Sequence, residues 1–136
     1  MNTTDFSILK ELERNARASN VEIAKKLKIS EGTVRKRVNA MIKSNIIRRF
    51  TVELSTKAGF TAFVLARSQP QVLSSEITSK IRKITDVKNI YQTGGEYDLV
   101  VEVVTTSPEA FNDVIEKIRS VQGITQTESL TVLKID

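Results

Sequence analysis

Residues 19 to 43 read SNVEIAKKLKISEGTVRKRVNAMIK, and the caps, small residues and basic positions in this stretch decide how the N-terminal half folds. Ser19 is an N-cap residue with Glu22 three positions on, the spacing of a capping box. Ile23, Ala24 and Leu27 then form the inner face of a first helix, a turn follows at Lys28 and Ile29, and Ser30 caps a second helix. Val34, Val38, Met41 and Ile42 share one side of that second helix. A small residue such as Ala24 where two helices cross, with an apolar anchor such as Val34 in the second, is the requirement of a helix-turn-helix.

With Val34 inward, Gly32, Thr33, Lys36 and Lys43 project outward, and Arg35 and Arg37 flank the buried stripe. An outward face of this kind suits the major groove of double-stranded DNA. Thr33, Arg35 and Lys36 are placed to reach base edges, whereas Arg37, Lys43, Arg48 and Arg49 are placed to meet phosphates. Upstream, Phe6, Leu9, Leu12 and Ala16 recur at helical spacing after the polar start Asn2-Thr3-Thr4, giving a third short helix ahead of the pair. Asn45 is a plausible stop, and residues 47 to 54 alternate apolar and polar in the manner of a short strand or wing. Charge follows the same division. Residues 1 to 53 hold 12 Lys/Arg and 6 Asp/Glu, so the whole excess of the +5 chain lies in this half. A basic module joined to a nearly neutral one points to a polyanion for the first and another task for the second.

From Phe60 the pattern changes to strands alternating with helices, and the segment repeats itself at an offset of 37 residues. Ala62, Val64 and Ala66 fall on Leu99, Val101 and Val103, and Ile77, Ile81 and Ile84 fall on Val114, Ile118 and Val121. Two strand-helix-strand units give an α+β, ferredoxin-like βαββαβ domain over residues 54 to 136, following the helix-turn-helix domain of residues 1 to 53. Ser107 and Pro108 open its second helix. Its strands are apolar on both sides, at Ala62 and Val64 against Phe63 and Leu65, and at Val101 and Val103 against Val100 and Val104. Two helices cover one face only, so the other is expected to meet a second copy of the chain.

Between two strands lies Thr93-Gly94-Gly95-Glu96-Tyr97-Asp98. Glycines let backbone approach a ligand closely, and hydroxyl and carboxylate neighbours could hold an ammonium group; the same hexapeptide also suits a plain hairpin turn. It is no phosphate loop, because no Lys-Ser/Thr follows. The chain has no cysteine and no histidine, which removes disulfides, thiolate nucleophiles, imidazole bases and the usual zinc sites. Asp98 and Glu102 would share a strand face about 13 Å apart, too far for paired-carboxylate catalysis. The loop also lacks the aromatic row that stacks RNA bases. No catalytic residue, metal or cofactor is therefore expected. Without a signal pattern at the N-terminus or an apolar stretch of membrane-spanning length, a cytoplasmic protein is expected.

Both halves, in this order, resemble the leucine-responsive/asparagine-responsive (Lrp/AsnC) regulators. The resemblance rests on Asp5 with Ile8, Leu9 and Leu12, on Asn15-Ala16-Arg17, on Ile23-Ala24-Lys25-Lys26-Leu27, on Val34 with Arg37, and on Ile46-Ile47-Arg48-Arg49. The glycine loop matches that family's Thr-Gly-x-Tyr-Asp signature with one residue extra, and glycine usually stands where this chain has Lys28 and Asn45. The resemblance implies a transcription regulator, not an enzyme, that dimerises through sheet faces, builds octamers, and binds an amino acid between dimers beside the loop. By the same analogy Thr127 and Ser129 complete the effector pocket. Such an assembly would read a palindromic operator; the alternative is a ligand-independent or architectural repressor of the same fold.

Overall fold

A computed structural model describes all 136 residues, and the chain separates into two compact units, Met1–Glu53 and Leu54–Asp136. The first contains helices α1 (Thr3–Arg14), α2 (Asn20–Leu27) and α3 (Glu31–Lys43). Their common core is Ile8, Ile23, Ala24, Val34 and Met41, with Leu9, Leu12, Leu27 and Val38 packed around it. On α1 the inner side is carried by Asp5 and Ile8 instead of Phe6, which is 55% exposed. Ile42 likewise lies outside the stripe expected for α3. Each change is a rotation of about one residue in a 3.6-residue period, which short helices with few apolar positions leave ambiguous.

Caps set the helix starts. Ser19 and Ser30 accept the backbone N–H of Glu22 and Thr33, but the reciprocal half of the box expected at Ser19 is missing. The full box stands at α1, where Asn2 and Asp5 each accept the other's backbone N–H. Lys28 and Asn45, the two sites without the expected glycine, adopt φ of 58° and 62°. Residues 47 to 54, expected as a short strand or wing, form no strand, and Phe50, Val52 and Leu54 are exposed. A strand exists only where another strand completes its ladder, and this segment has no such neighbour in its own unit.

In the second unit β1 (Phe60–Ser68), α4 (Ser74–Arg82), β2 (Val87–Gln92), β3 (Leu99–Thr105), α5 (Pro108–Arg119) and β4 (Ile124–Thr131) follow in the repeated order. The sheet runs β2-β3-β1-β4, antiparallel throughout, as a ferredoxin-like fold requires. Ala62, Val64, Ala66, Leu99, Val101 and Val103 are buried beneath Ile77, Ile81, Phe111, Val114 and Ile118 of the two helices. Phe63, Leu65, Val100, Val104 and Leu130 occupy the opposite face, which neither helix covers. Ser107 caps α5 with Pro108 at its first position, as the sequence indicates.

Lys28 is held left-handed at a cost that glycine does not incur. Lys28→Gly should therefore raise stability by roughly 0.5 to 1 kcal/mol, measured by chemical denaturation; an unchanged or lower value would show that the turn is relaxed with lysine. A second expectation concerns Lys26 on α2, whose Nζ lies 2.8 Å from Glu11 Oε2 on α1 and holds that carboxyl below its ordinary pKa. A lowered folded pKa contributes stability above the unfolded value that is lost as pH falls through the folded one. Glu11→Gln should thus destabilise at neutral pH and become indistinguishable from the parent in acid below the carboxylate range, as read from thermal midpoints against pH.

Candidate functional site

On α3 the buried stripe of Val34 and Met41 turns Gly32, Thr33, Lys36, Asn39 and Lys43 to the opposite side. Thr33 uses its hydroxyl on Ser30 Oγ at 2.7 Å, inside the cap. Lys36 and Lys43 make no ion pair or hydrogen bond within their unit. Arg35 and Arg37 stand on opposite flanks and are both engaged: Arg35 Nη1 lies 2.8 Å from Glu31 Oε2, and Arg37 Nε 3.6 Å from Asp5 Oδ1. Arg48 and Arg49 follow in the extended segment beyond α3. Asn39, absent from the sequence-based set, lies between Lys36 and Lys43 at helical spacing and is exposed; an amide there has the donor-acceptor pair that matches adenine. Gly32 has open space at its missing Cβ, where only Arg35 Nη2 comes within 3.7 Å. Packing within the unit therefore does not demand glycine, although glycine in a helix costs about 1 kcal/mol relative to alanine.

The glycine loop links β2 to β3 and closes on itself. Thr93 donates its hydroxyl to Tyr97 O at 2.7 Å and its N–H to Asp98 O at 2.9 Å. Asp98 accepts the N–H of Ser68 at 2.8 Å, fastening the loop to the end of β1. Gly95 takes φ of 112°, which explains glycine there by backbone alone. Gly94 has no such reason: its φ lies outside the left-handed region that favours glycine, and nothing lies within 4 Å of the position of an added Cβ.

Around the loop is a polar cluster that joins it to two strands, β1 and β4. Arg67 of β1 pairs with Glu96 at 2.6 Å and lies 5.3 Å from the centre of the Tyr97 ring. Tyr97 donates its hydroxyl to Glu128 of β4, and that acceptor holds the phenol above its ordinary pKa. Arg67 and Glu128 are missing from the sequence-based set. Thr127 and Ser129, which are in it, pair with Ala66 and Val64 on the helix-covered side of the sheet, whereas Glu128 pairs with Leu65 on the uncovered side. Thr127 is engaged there by Arg119 Nε at 3.0 Å, beside a cleft of about 230 Å³. The structure brings residues 93 to 98 together with Arg67 and Glu128, and leaves Thr127 and Ser129 facing the other way. No group of three or more acidic side chains is arranged to hold a metal, and no helix is long and apolar enough to cross a membrane.

Comparison with known proteins supplies the frame for both places. Residues 1–48 match the family described as winged helix-turn-helix DNA-binding, and residues 61–135 match the Lrp/AsnC ligand binding domain. The HTH-type transcriptional regulator LysM of Saccharolobus solfataricus is 41% identical over 131 residues, which cover 96% of this chain and 92% of that protein. Among solved structures, E. coli AsnC aligns with a TM-score of 0.72 at 28% identity, covering 99% of this chain and 93% of that one. A Neisseria meningitidis transcriptional regulator solved as a complex with L-Met aligns with a TM-score of 0.76 at 25% identity, covering 98% and 90%. A helix-turn-helix followed by this four-stranded ligand-binding domain makes the chain a member of the Lrp/AsnC family of DNA-binding transcription regulators.

Proposed function

We propose that this regulator binds a palindromic operator as a homodimer in the cytoplasm, and that an amino acid held near residues 93 to 98 between subunits changes its assembly and DNA occupancy. On the DNA side, unpaired Lys36 and Lys43 on the outward face of α3 support groove entry, with Gly32 and Thr33 opening the helix toward the bases. Arg35 and Arg37 flank that face, and Arg48 and Arg49 extend the basic surface for phosphates. For assembly, the uncovered apolar face of Phe63, Leu65, Val100, Val104 and Leu130 supports an isologous sheet-to-sheet dimer. Dimers of such dimers, up to an octamer, are the fuller assembly this reading allows.

The observation that carries the effector reading is Gly94, a glycine that neither its backbone angle nor its surroundings require, beside an Arg67-Tyr97-Glu128 cluster on the uncovered face. An amino acid offers an ammonium for carboxylates and a carboxylate for backbone amides or a guanidinium. Held between subunits it binds the assembled state better, and that difference in affinity is what shifts the population. Thr127 and Ser129, on the other side of β4, would complete the pocket only from a neighbouring subunit's approach to that edge. The second reading is a ligand-independent regulator. It is favoured by the internal bonds of Thr93 to Tyr97 and of Asp98 to Ser68, which already satisfy much of the loop.

Lys36→Ala should weaken binding chiefly to the preferred sequence, by about 1 to 3 kcal/mol. Lys43→Ala should weaken all sequences alike and flatten the slope of log affinity against log salt by about one. Unchanged affinity in both variants at matched salt would overturn the DNA assignment. For the effector, one of the twenty amino acids should raise the thermal midpoint of the full chain and alter its sedimentation. Gly94→Val, which meets open space within the chain, should keep the ligand-free midpoint and lose that response. If no amino acid moves either observable in the parent protein, the ligand-independent reading prevails.

A further inference from the structure

The strangest charge in the DNA-binding unit is buried. Asp5 is 5% exposed at the start of α1, and one of its oxygens, Oδ2, completes the capping box by accepting Asn2 N–H at 3.1 Å. A cap needs that acceptor and no more; it does not need a carboxylate charge removed from water, which is costly unless matched. The other oxygen, Oδ1, is enclosed and accepts no hydrogen bond. Its one charged neighbour is Arg37 Nε, 3.6 Å away on α3.

The Arg37 side chain has no other partner within its unit and stays 41% exposed. A guanidinium approached along Nε keeps both terminal nitrogens available on its opposite edge, the edge that meets a phosphate in bidentate fashion. Arg37 also sits on a flank of α3, beside the buried Val34 and Met41, so it borders the outward face without belonging to it. A helix lying in a major groove has the two phosphate backbones along its flanks. On the far flank, Arg35 is tied differently, donating from its terminal Nη1 to Glu31 of the same helix, whereas Lys36 and Lys43 between the flanks are untied.

We infer that Asp5 is a positioning residue for DNA recognition: it restrains Arg37 so that the terminal guanidinium edge meets a backbone phosphate in one register. The inference rests on α3 entering the groove. A restrained phosphate contact sets where the helix sits along the duplex, and thereby which base pairs its outward face addresses. Loss of the restraint leaves the positive charge in place but frees its direction. Asp5 therefore acts on the preference between sequences more than on attraction to DNA as such.

Asp5→Asn keeps an acceptor for Asn2 N–H at nearly unchanged volume and removes the charge. Its affinity is compared with that of Arg37→Gln, Arg37→Lys and the Asp5→Asn/Arg37→Gln double variant. Each full-length protein is titrated across a salt series against a duplex selected by the parent and against an unrelated duplex. Asp5→Asn should lower the ratio of preferred to unrelated affinity about tenfold, the scale of one charge-assisted bond, while the salt slope is kept. Arg37→Gln should reduce the salt slope by about one, and Arg37→Lys should keep the slope and lose the ratio. The double variant should bind no worse than Arg37→Gln alone. A lower thermal midpoint in Asp5→Asn is compatible with either role, so the ratio and slope decide, and Arg37→Gln and Arg37→Lys still test the idea if Asp5→Asn does not fold. An Arg37→Gln protein with the parental slope and ratio, or an Asp5→Asn protein with the parental ratio, would reduce the pair to a staple between α1 and α3. Lys36→Ala separates the two levels: if it too leaves binding unchanged, groove entry by α3 fails, and not merely the role of Asp5.

Discussion

Enclosure of Val34 fixes the rotation of α3, and that rotation determines which of its side chains face outward. Val34 has no exposed surface, and Ile8 of α1 and Ile23 and Ala24 of α2 are buried with it in one cluster. In a 3.6-residue period one fully buried position, repeated at Met41, leaves no freedom for the rest: Lys36, Asn39 and Lys43 must face away, and Arg35 and Arg37 must stand at the margins. Moving the apolar anchor by one residue would turn a different set of side chains outward. Ala24 is small for the same reason, since a larger side chain at the crossing would lift α3 and overpack a filled site.

The sheet of the second unit obeys a sharper version of the constraint, because its period is two. Ala62, Val64 and Ala66 are fully buried under α4 and α5, so Phe63, Leu65 and Arg67 necessarily lie on the face without helices. β1 is flanked by β3 and β4, so its choice of face is imposed on both neighbours through their register. Glu128 opposite Leu65 and Val100 opposite Leu65 follow from that alone. On that face Phe63, Leu65 and Val100 adjoin Glu102, which stands opposite Phe63 and accepts from Asn89, while Arg67, Glu96, Tyr97 and Glu128 gather toward the glycine loop.

Where periodicity decides, the sequence was legible: the three N-terminal helices, the repeated strand-helix-strand units, and the inner residues Ile23, Ala24, Val34, Val64 and Val101 all follow from spacing. Contacts across the sheet were not. Tyr97 and Glu128 meet over β1 although 31 residues apart, and Arg67 and Glu96 although 29 apart; no local pattern announces either. Thr127 and Ser129 take one face of β4 and Glu128 between them takes the other, a difference of one step that family analogy does not register. Asp5 was visible as a family-like residue, but a polar residue at an N-terminus reads as a cap, and only the fold shows that its second oxygen is enclosed beside Arg37. Residues 47 to 54 failed in the opposite sense. Their alternation is real, but a strand also needs a neighbour, which one chain's alternation cannot supply.

On the proposed reading, the uneven distribution of charge would give assembly its leverage over DNA binding. Residues 1 to 53 carry 12 of the 21 basic side chains and only 6 of the 16 acids, yet several of those cations are tied within the unit: Lys26 to Glu11, Arg35 to Glu31 and Arg37 to Asp5. One copy therefore brings fewer untethered cations to a duplex than its composition suggests, and affinity built on phosphate contacts is strongly reduced by salt. Joining two such units through a second domain would make engagement of a second half-site intramolecular, at an effective concentration far above that of the free protein. A nearly neutral domain suits that task, since it can bring copies together without adding their repulsion to that of the basic units. Control of how subunits associate would then control DNA occupancy without altering a single contact proposed for α3.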